Sequence, residues 1–418
     1  MSSLIHLPTR REALIGSGAL FAWACTPRLA RAEGRDPRVL VVVLRGALDG
    51  LAMVAPTGDP DWIGLRGDKA LVRDGKTPGL PLDSFFTLNP AMPNLHRLYQ
   101  VRQATIVHAA ATPYRERSHF DGQDVLESGY AKPGFKDSGW LNRALTALEP
   151  DGRVDPRGSR GRPFALGPVT PLVARGSAPM LTWVPQQPKP ASEDTQTRVL
   201  DLYRHTDPKL AHALEGRRDL VALTRDSGMD MVTPQDGQPA LVGIARVRKY
   251  VADVAGGAAR YLAQPEGPRV GAVDFVGWDT HYNEGAVGGQ LANLLGVLDD
   301  GIAGFEKNMG DAWRETIVVL VTEFGRTARI NGTDGTDHGT GTVAVLVGGA
   351  LQGGRVIADW PGVKAASLYE GRDLKATTDL RAVLKGVLKD HLRLDERALA
   401  ERVFPGSANV QPMMGLTG

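Results

Sequence analysis

The chain has 418 residues, 42% of them hydrophobic, enough to bury a large core in one elaborated α/β unit or in several domains. Its 49 basic residues balance 47 acidic ones, which leaves no electrostatic footprint for nucleic acid. The 50 glycines and 28 prolines follow no collagen period, so the composition is that of a loop-rich enzyme, not a fibre or a disordered tract.

The N-terminus reads as an export signal. Arg10-Arg11 stand just ahead of an apolar stretch, residues 13–24, and Leu29-Ala30-Arg31-Ala32 has a small-x-small cleavage pattern. The arginine pair points to twin-arginine export, with a general secretory signal as the other reading. Residues 1–32 are therefore assigned to the signal peptide, and a periplasmic or secreted location is expected. The apolar stretch is too short to span a bilayer, so no transmembrane segment is expected in the mature chain. The single cysteine, Cys25, falls inside this segment, which excludes a thiol nucleophile, a thiolate metal site and a disulfide framework after cleavage.

Strand and helix patterns then alternate. Residues 39–44 are an unbroken apolar run rich in β-branched side chains and predict a buried strand, ending in Arg45-Gly46-Ala47-Leu48-Asp49-Gly50. A short helix is predicted over 89–100 and a second strand over 104–110. A polar turn leads to Ser118-His119-Phe120-Asp121, which opens a helix running to about residue 128. Over 151–192 Gly, Pro and Arg dominate and apolar periodicity fades, as in a loop-built insertion; 195–262 return to helical patterning. A strand over 271–275 ends in Trp278-Asp279-Thr280-His281, and Leu291, Leu295, Leu298, Ile302 and Phe305 follow at helical spacing. Two more strands, 317–321 and 343–347, bracket Thr322-Glu323-Phe324-Gly325-Arg326-Thr327 and Asp337-His338-Gly339. Thr378-Asp379 caps a last amphipathic helix. Residues 33–418 are read as a single α/β domain with a mostly parallel central sheet flanked by helices.

The polar clusters all follow strand ends, which share one edge in a parallel sheet. They are Asp49; Ser118, His119 and Asp121; Asp279 and His281; Glu323 and Arg326; Asp337 and His338. Carboxylates and imidazoles without cysteine suit one or two divalent ions, zinc or manganese before magnesium. Asp279 and His281, two apart, point the same way from an extended segment, whereas the adjacent Asp337 and His338 share an ion only from a bent loop. Ser118 begins a predicted helix, where free N–H groups favour an anion, and a hydroxyl beside a metal there can attack phosphorus or sulfur. Ser118 and Asp121 equally form a Ser-x-x-Asp capping pattern. Each other residue has its ordinary counterpart: Asp49 as a turn residue before glycine, the histidines as loop residues, Glu323 as a surface partner of Arg326 or Arg329. Arg45, Arg115, Arg117 and Arg326 lie at the same edge, and guanidinium groups match tetrahedral oxyanions, so an anionic ester substrate is expected. His108 lies within a strand and is assigned to the core.

Several motifs together resemble the DUF1501 family: Leu44-Arg45-Gly46 with Leu48-Asp49-Gly50, Pro113-Tyr114-Arg115-Glu116-Arg117-Ser118-His119-Phe120-Asp121, Gly139-Trp140-Leu141-Asn142-Arg143, Thr322-Glu323-Phe324-Gly325-Arg326-Thr327, Gly335-Thr336-Asp337-His338-Gly339 and Asp359-Trp360-Pro361-Gly362. The family is similar in fold to the alkaline phosphatase and sulfatase superfamily. That resemblance implies a metal-binding Asp at Asp49, a nucleophile at Ser118, metal ligands at Asp279 and His281, and a final ligand at His338. Where the superfamily pattern has Asp-His, this chain has Glu323-Phe324. The expected protein is an exported metal-dependent hydrolase of phosphate or sulfate esters. Asp49, Asp279, His281, Glu323, Asp337 and His338 hold metal, Ser118 is the nucleophile, and Arg45 and Arg326 serve the oxyanion. His119, Asp121 and Arg117 orient ligands or touch substrate. The alternative is a metal-binding periplasmic binding or assembly protein that keeps the fold without the reaction. A metal-free esterase using Ser118 ranks behind both, since no Gly-x-Ser-x-Gly elbow is present.

Overall fold

The computed structural model describes residues 24–25, 36–75, 78–135, 137–148, 164–166, 171–178, 181–183, 244–264 and 268–418. The chain divides into two units, and nearly all described residues belong to the larger, residues 19–184 with 245–418. The signal segment apart from Ala24–Cys25, most of the 151–192 insertion and the helical patterning before residue 244 lie outside the described residues.

The central sheet contains β1 (Arg38–Arg45), β2 (Ala104–Ala111), β3 (Val270–Val276), β4 (Thr316–Val321), β5 (Thr342–Val347), β6 (Arg355–Ile357) and β7 (Thr378–Asp379). The order is β3-β1-β4-β5-β2-β6, with β7 also paired to β2 and Ala24–Cys25 lying antiparallel along β3. Strand β1 runs parallel to β3 and β4, and β6 and β7 run parallel to β2. Strand β5 runs antiparallel to both β4 and β2. The expected mostly parallel α/β sheet is therefore present, with β5 and the two-residue Ala24–Cys25 strand reversed. The reversal has a consequence for the site. Strands β1 to β4 all end on one edge, and β5 begins there, so the loop between β4 and β5 leaves and returns at the same place.

The helices are α1 (Gly50–Met53), α2 (Trp62–Arg66), α3 (Pro93–Gln100), α4 (His119–Ser128), α5 (Trp140–Leu148), α6 (Ile244–Ala263), α7 (Gln290–Met309) and α8 (Leu380–Asp390). None of the helices among the described residues is long and apolar enough to cross a membrane. The run Arg-Val-Leu-Val-Val-Val-Leu-Arg of β1 is buried except at its last residue, as expected of a central strand covered on both faces. Val39, Val41 and Val43 share one core with Trp140 and Leu141 of α5 and with Leu384, Val387 and Leu388 of α8. Each such side chain contributes about 1.5–3 kcal/mol by leaving water. Helix α7 also caps α3: buried Asp299 accepts from the backbone N–H groups of Asn94 (2.9 Å) and Leu95 (2.8 Å).

His108 is a core residue of β2, fully buried, as its strand position implied. Its Nε2–H donates to the carbonyl of Val54 at 2.8 Å, and its Nδ1 accepts from the N–H of Ala109 at 2.8 Å, so the neutral ring is satisfied at both nitrogens. Burial lowers its pKa to about 4. The folded state thus resists a proton that the unfolded chain takes up near pH 6.5. Stability is full above that pH and falls by about 3 kcal/mol as the pH drops through 4. Denaturant titrations at pH 7 and pH 4 should show wild type losing about that much more stability than His108→Gln, which has no ring to protonate.

Candidate metal centre

Four loops at the shared edge supply the site, and their approach depends on Gly46. It follows β1 at φ +116°, and a Cβ there would stand 2.6 Å from the backbone nitrogen of Asp279. Only glycine lets the end of β1 pass so close to the turn after β3. The Gly46 N–H then donates to Oε1 of Glu323 at 2.9 Å, tying the ends of β1 and β4 together.

Asp279 and His281 reach one point from a tight turn, not from the extended segment expected. The N–H of Thr280 donates to the carbonyl of Trp278 (3.0 Å) and that of His281 to the carbonyl of Asp279 (3.2 Å). Trp278, fully buried, anchors the turn through its indole N–H on the carbonyl of Phe275 at 3.0 Å.

Three imidazoles converge on one carboxylate oxygen. Oδ1 of Asp279 lies 3.4 Å from His119 Nε2, 3.1 Å from His281 Nε2 and 3.3 Å from His338 Nε2. The Nε2 atoms of His281 and His338 are themselves 3.0 Å apart. The far nitrogen of each ring is held from behind. Nδ1 of His119 donates to Oε1 of Glu323 at 2.8 Å, and Nδ1 of His338 to the backbone carbonyl of Arg117 at 2.8 Å. Nδ1 of His281 faces Oδ1 of Asp337 at 3.5 Å. With Nδ1 of His119 and of His338 spent on these acceptors, Nε2 is the atom each ring turns toward Asp279, as an N–H donor when protonated and as a metal ligand once that proton is lost.

The Arg326 guanidinium already supports this oxygen, at 2.5 Å, and the imidazole nitrogens around it are spaced so that a metal ion could take the place of their protons. Two ligands each about 2.1 Å from a tetrahedral ion sit about 3.4 Å apart, close to the spacings of this cluster. Nε2 of His119 is buried with only the long 3.4 Å contact to Asp279 Oδ1, which a metal–nitrogen bond would replace. Ligand atoms of His119, Asp279 and His338 all lie within 4.8 Å of one another. His119, Asp279 and His338 therefore fit one divalent ion, with His281 Nε2 beside them, 3.0 Å from His338 and 3.1 Å from Asp279.

The same convergence sets the electrostatics of the edge. Burial alone would raise the Asp279 carboxyl, but hydrogen bonds from His119, His338 and Arg326 hold it well below the usual carboxylate range. Hydrogen bonds to Asp279 and Glu323 push His119 up to about 9, and burial with the charge of Arg326 lowers His281. Glu323 is fully buried, yet bonds from His119, Gln123 and Gly46 outweigh desolvation and keep it ionised.

The expected residues are sorted accordingly. Asp279, His281 and His338 meet as anticipated, and His119, assigned to an orienting role, joins them. Glu323 and Asp337, expected to hold metal, instead stand behind His119 and His281. Asp49 is kept from the cluster: it caps α1, and Arg66 grips its oxygens at 2.7 and 3.1 Å. Arg45 is not free for an oxyanion, since it bonds Gln123 (2.8 Å), Glu127 (2.8 Å) and Asp274 (2.7 Å). Arg326 is equally spent. Buried beneath the cluster, it donates Nη1 to Asp279 Oδ1 (2.5 Å) and Nε to Thr336 Oγ1 (3.1 Å). Arg117 is clamped by Asp373 (2.8 Å) and Glu370 (2.5 Å). Ser118 precedes α4 but makes no side-chain capping bond, so the capping pattern is not realised. Asp121 sits in the first turn of α4, 3.5 Å from the Tyr114 hydroxyl. Sequence reading missed Phe324, whose ring stacks on His119 with centroids 5.1 Å apart, because it was read only as an absent histidine. It also missed Arg66 and Glu284, which no motif marks.

Fold and site together define an α/β protein with a histidine–carboxylate centre on the carboxyl edge of its sheet. Residues 99–403 match the family described as protein of unknown function (DUF1501), and the chain belongs to that family. No curated protein matches the chain. Among solved structures it is similar to Ps i-CgsB in complex with k-i-k-neocarrahexaose, at 9% identity and TM-score 0.41, covering 90% of this chain and 77% of that one. It is also similar to a protein in the alkaline phosphatase superfamily from Vibrio parahaemolyticus, at 11% identity and TM-score 0.36, covering 80% of this chain and 65% of that one. A third similar structure is the phosphonate monoester hydrolase of Agrobacterium radiobacter, at 12% identity and TM-score 0.32, covering 77% and 70%.

Glu323→Gln keeps the shape behind His119 and removes the charge. Zinc affinity, measured by competition with a chromophoric chelator, should fall about 10–100-fold. Asp337→Asn, at a longer and more exposed contact, should cost less.

Proposed function

We propose that the protein is an exported metal-dependent hydrolase of phosphate or sulfate esters, its ion held by His119, Asp279, His281 and His338. The observation that carries this reading is the convergence of three Nε2 atoms on Oδ1 of Asp279 at 3.1–3.4 Å. A single ion is favoured because Asp49, the other carboxylate expected to bind metal, already has Arg66 as its counter-charge. When bound, the ion polarises an ester oxygen and lowers the pKa of a hydroxyl beside it.

The chain's own residues supply the rest. Ser118 adjoins His119 at the N-terminus of α4, with a hydroxyl not spent on capping, and serves as nucleophile. The unpaired N–H groups of the first turn of α4 favour the anionic group of the ester. Phe324 packs behind His119 and keeps water from that side of the ring. Arg326 fixes the Asp279 carboxylate, and Glu323 fixes the tautomer of His119. With Arg45, Arg117 and Arg326 closely paired to carboxylates, the substrate anion is left to the ion, to α4 and to Arg372, whose own pairing with Asp373 is loose at 3.8 Å. Arg372 is 40% exposed at the side chain and donates to the carbonyl of His338 at 2.8 Å.

The test uses full-length protein stripped with chelator and reloaded with zinc or manganese. Assays with p-nitrophenyl phosphate, bis(p-nitrophenyl) phosphate and p-nitrophenyl sulfate should show metal-dependent turnover of at least one ester. Ser118→Ala should lower kcat by about a thousandfold or more, with metal affinity unchanged. Stoichiometric metal binding without turnover of any of the three would favour the non-catalytic alternative.

The cluster also makes metal binding a proton competition. His119 must lose its proton to bind, so zinc affinity should rise about tenfold per pH unit below pH 9 and level off above it. Calorimetric titrations at pH 6, 7 and 8 check the slope.

A further inference from the structure

The turn that leads from β2 into α4 carries a second arrangement. Arg115 closes it, donating Nη1 to the carbonyls of Thr112 and Tyr114. Ser118, at its end, is bracketed by two histidines of the centre. The carbonyl of Arg117 before it accepts from Nδ1 of His338 at 2.8 Å, and the residue after it is His119. The His119 and His338 rings stand 4.2 Å apart between centroids. The Ser118 backbone is thus fixed at the centre from both sides, and what remains to be set is where its hydroxyl goes.

A serine at a helix N-cap ordinarily commits that hydroxyl to the helix. In a capping box it accepts from the N–H of the third helical residue, whose carboxylate accepts in turn from the N-cap N–H. Ser118 and Asp121 have the residue types and the spacing, yet Ser118 makes no capping bond. The Tyr114 hydroxyl is inserted between them. It accepts from the Ser118 N–H at 3.1 Å and donates toward Oδ2 of Asp121 at 3.5 Å. Its ring is buried with Ala47, Val125 and Phe324, which fixes where the hydroxyl stands. Ser118 meets the phenol oxygen through its backbone and, more loosely, through its hydroxyl. Both contacts oppose the rise that burial gives the Tyr114 pKa.

We propose that Tyr114 is a positioning residue for the nucleophile: by replacing one bond of the capping box, it keeps the Ser118 hydroxyl off the helix and available to the ion and the ester. The inference rests on the hydrolase reading above, which makes Ser118 the nucleophile. Capping and attack compete for the same oxygen, since a hydroxyl held against the Asp121 N–H is turned into the helix. With the Ser118 N–H satisfied by the phenol, the Asp121 carboxylate has no N-cap partner and the box does not close. The N–H groups of the first turn of α4 then stay open for the anionic group of the substrate. Tyr114 passes no proton in this scheme, because burial favours its neutral form.

The experiment compares zinc-loaded wild type with Tyr114→Phe, which keeps the buried ring and removes only the hydroxyl. A crystal structure of the variant should show the box closed, with the Ser118 hydroxyl accepting from the Asp121 N–H. On the aryl ester that wild type turns over, kcat should fall about a hundredfold, while KM and zinc affinity stay within about twofold. In a Ser118→Ala background, Tyr114→Phe should change the residual rate by less than about twofold, since the hydroxyl it positions is gone. A Ser118 hydroxyl still off the helix in Tyr114→Phe overturns the proposal. So does a closed box with unchanged kcat, or the full loss repeated in the Ser118→Ala background. If wild type turns over none of the aryl esters, the hydrolase reading fails separately, and the crystal structure alone decides whether Tyr114 holds the box open.

Discussion

The site is organised around one oxygen atom. Oδ1 of Asp279 is approached by three imidazole nitrogens and a guanidinium, and every one of those groups is fixed from behind by a different part of the chain. Holding so many polar groups against one oxygen costs side-chain entropy and desolvation. The fold meets that cost with its sheet. Parallel strands bring the ends of β1, β2, β3 and β4 to one edge, and the reversed β5 returns the chain to it with His338. Gly46, which alone permits the close approach of β1 to the Asp279 turn, is as much a part of the site as any ligand.

The supporting layer shows how electrostatics set the roles of chemically similar groups. Of the carboxylates at this edge, Asp279 faces three imidazole Nε2 atoms and the Arg326 guanidinium, Glu323 accepts from an Nδ1–H, and Asp49 is neutralised by Arg66. Their environments differ although their residue types hardly do. Deeper still, Glu284 is buried, and burial with the charge of Asp49 pushes its pKa well above the usual range. It accepts from the Thr336 hydroxyl at 2.7 Å, and that hydroxyl accepts from Arg326, so a chain of bonds runs from the core to the Asp279 carboxylate. Arg117 links two layers in the same way: its carbonyl, at a left-handed φ of +59°, accepts from His338 Nδ1, while its side chain bonds Asp373 and Glu370.

Much of this was legible in the sequence, for identifiable reasons. Strands β1, β2, β3 and β4 are short apolar runs bounded by polar turns, and period and length betray such strands. Convergence of the clusters followed from a parallel sheet, so Asp279, His281 and His338 could be grouped without coordinates. Ranking the carboxylates was beyond reach, because it depends on partners far along the chain. Arg66 lies 17 residues from Asp49, and Glu323 lies 204 residues from His119. His119 was undervalued because Ser118 beside it drew the chemical argument. Phe324 was counted as a loss, although its stacking with His119 supplies support that a histidine there was expected to give by coordination. The backbone carbonyl of Arg117 carries no side-chain signature at all.

The central claim is that this edge binds one ion through three imidazole nitrogens and one carboxylate oxygen. X-ray absorption spectroscopy on zinc-loaded protein, with metal content counted in the same sample, tests it most directly. The account predicts one zinc per chain, with histidine scattering from three rings and a single carboxylate oxygen, and loss of one ring's contribution in His119→Ala. Two ions per chain, or a zinc shell unchanged when His119 is removed, would contradict it.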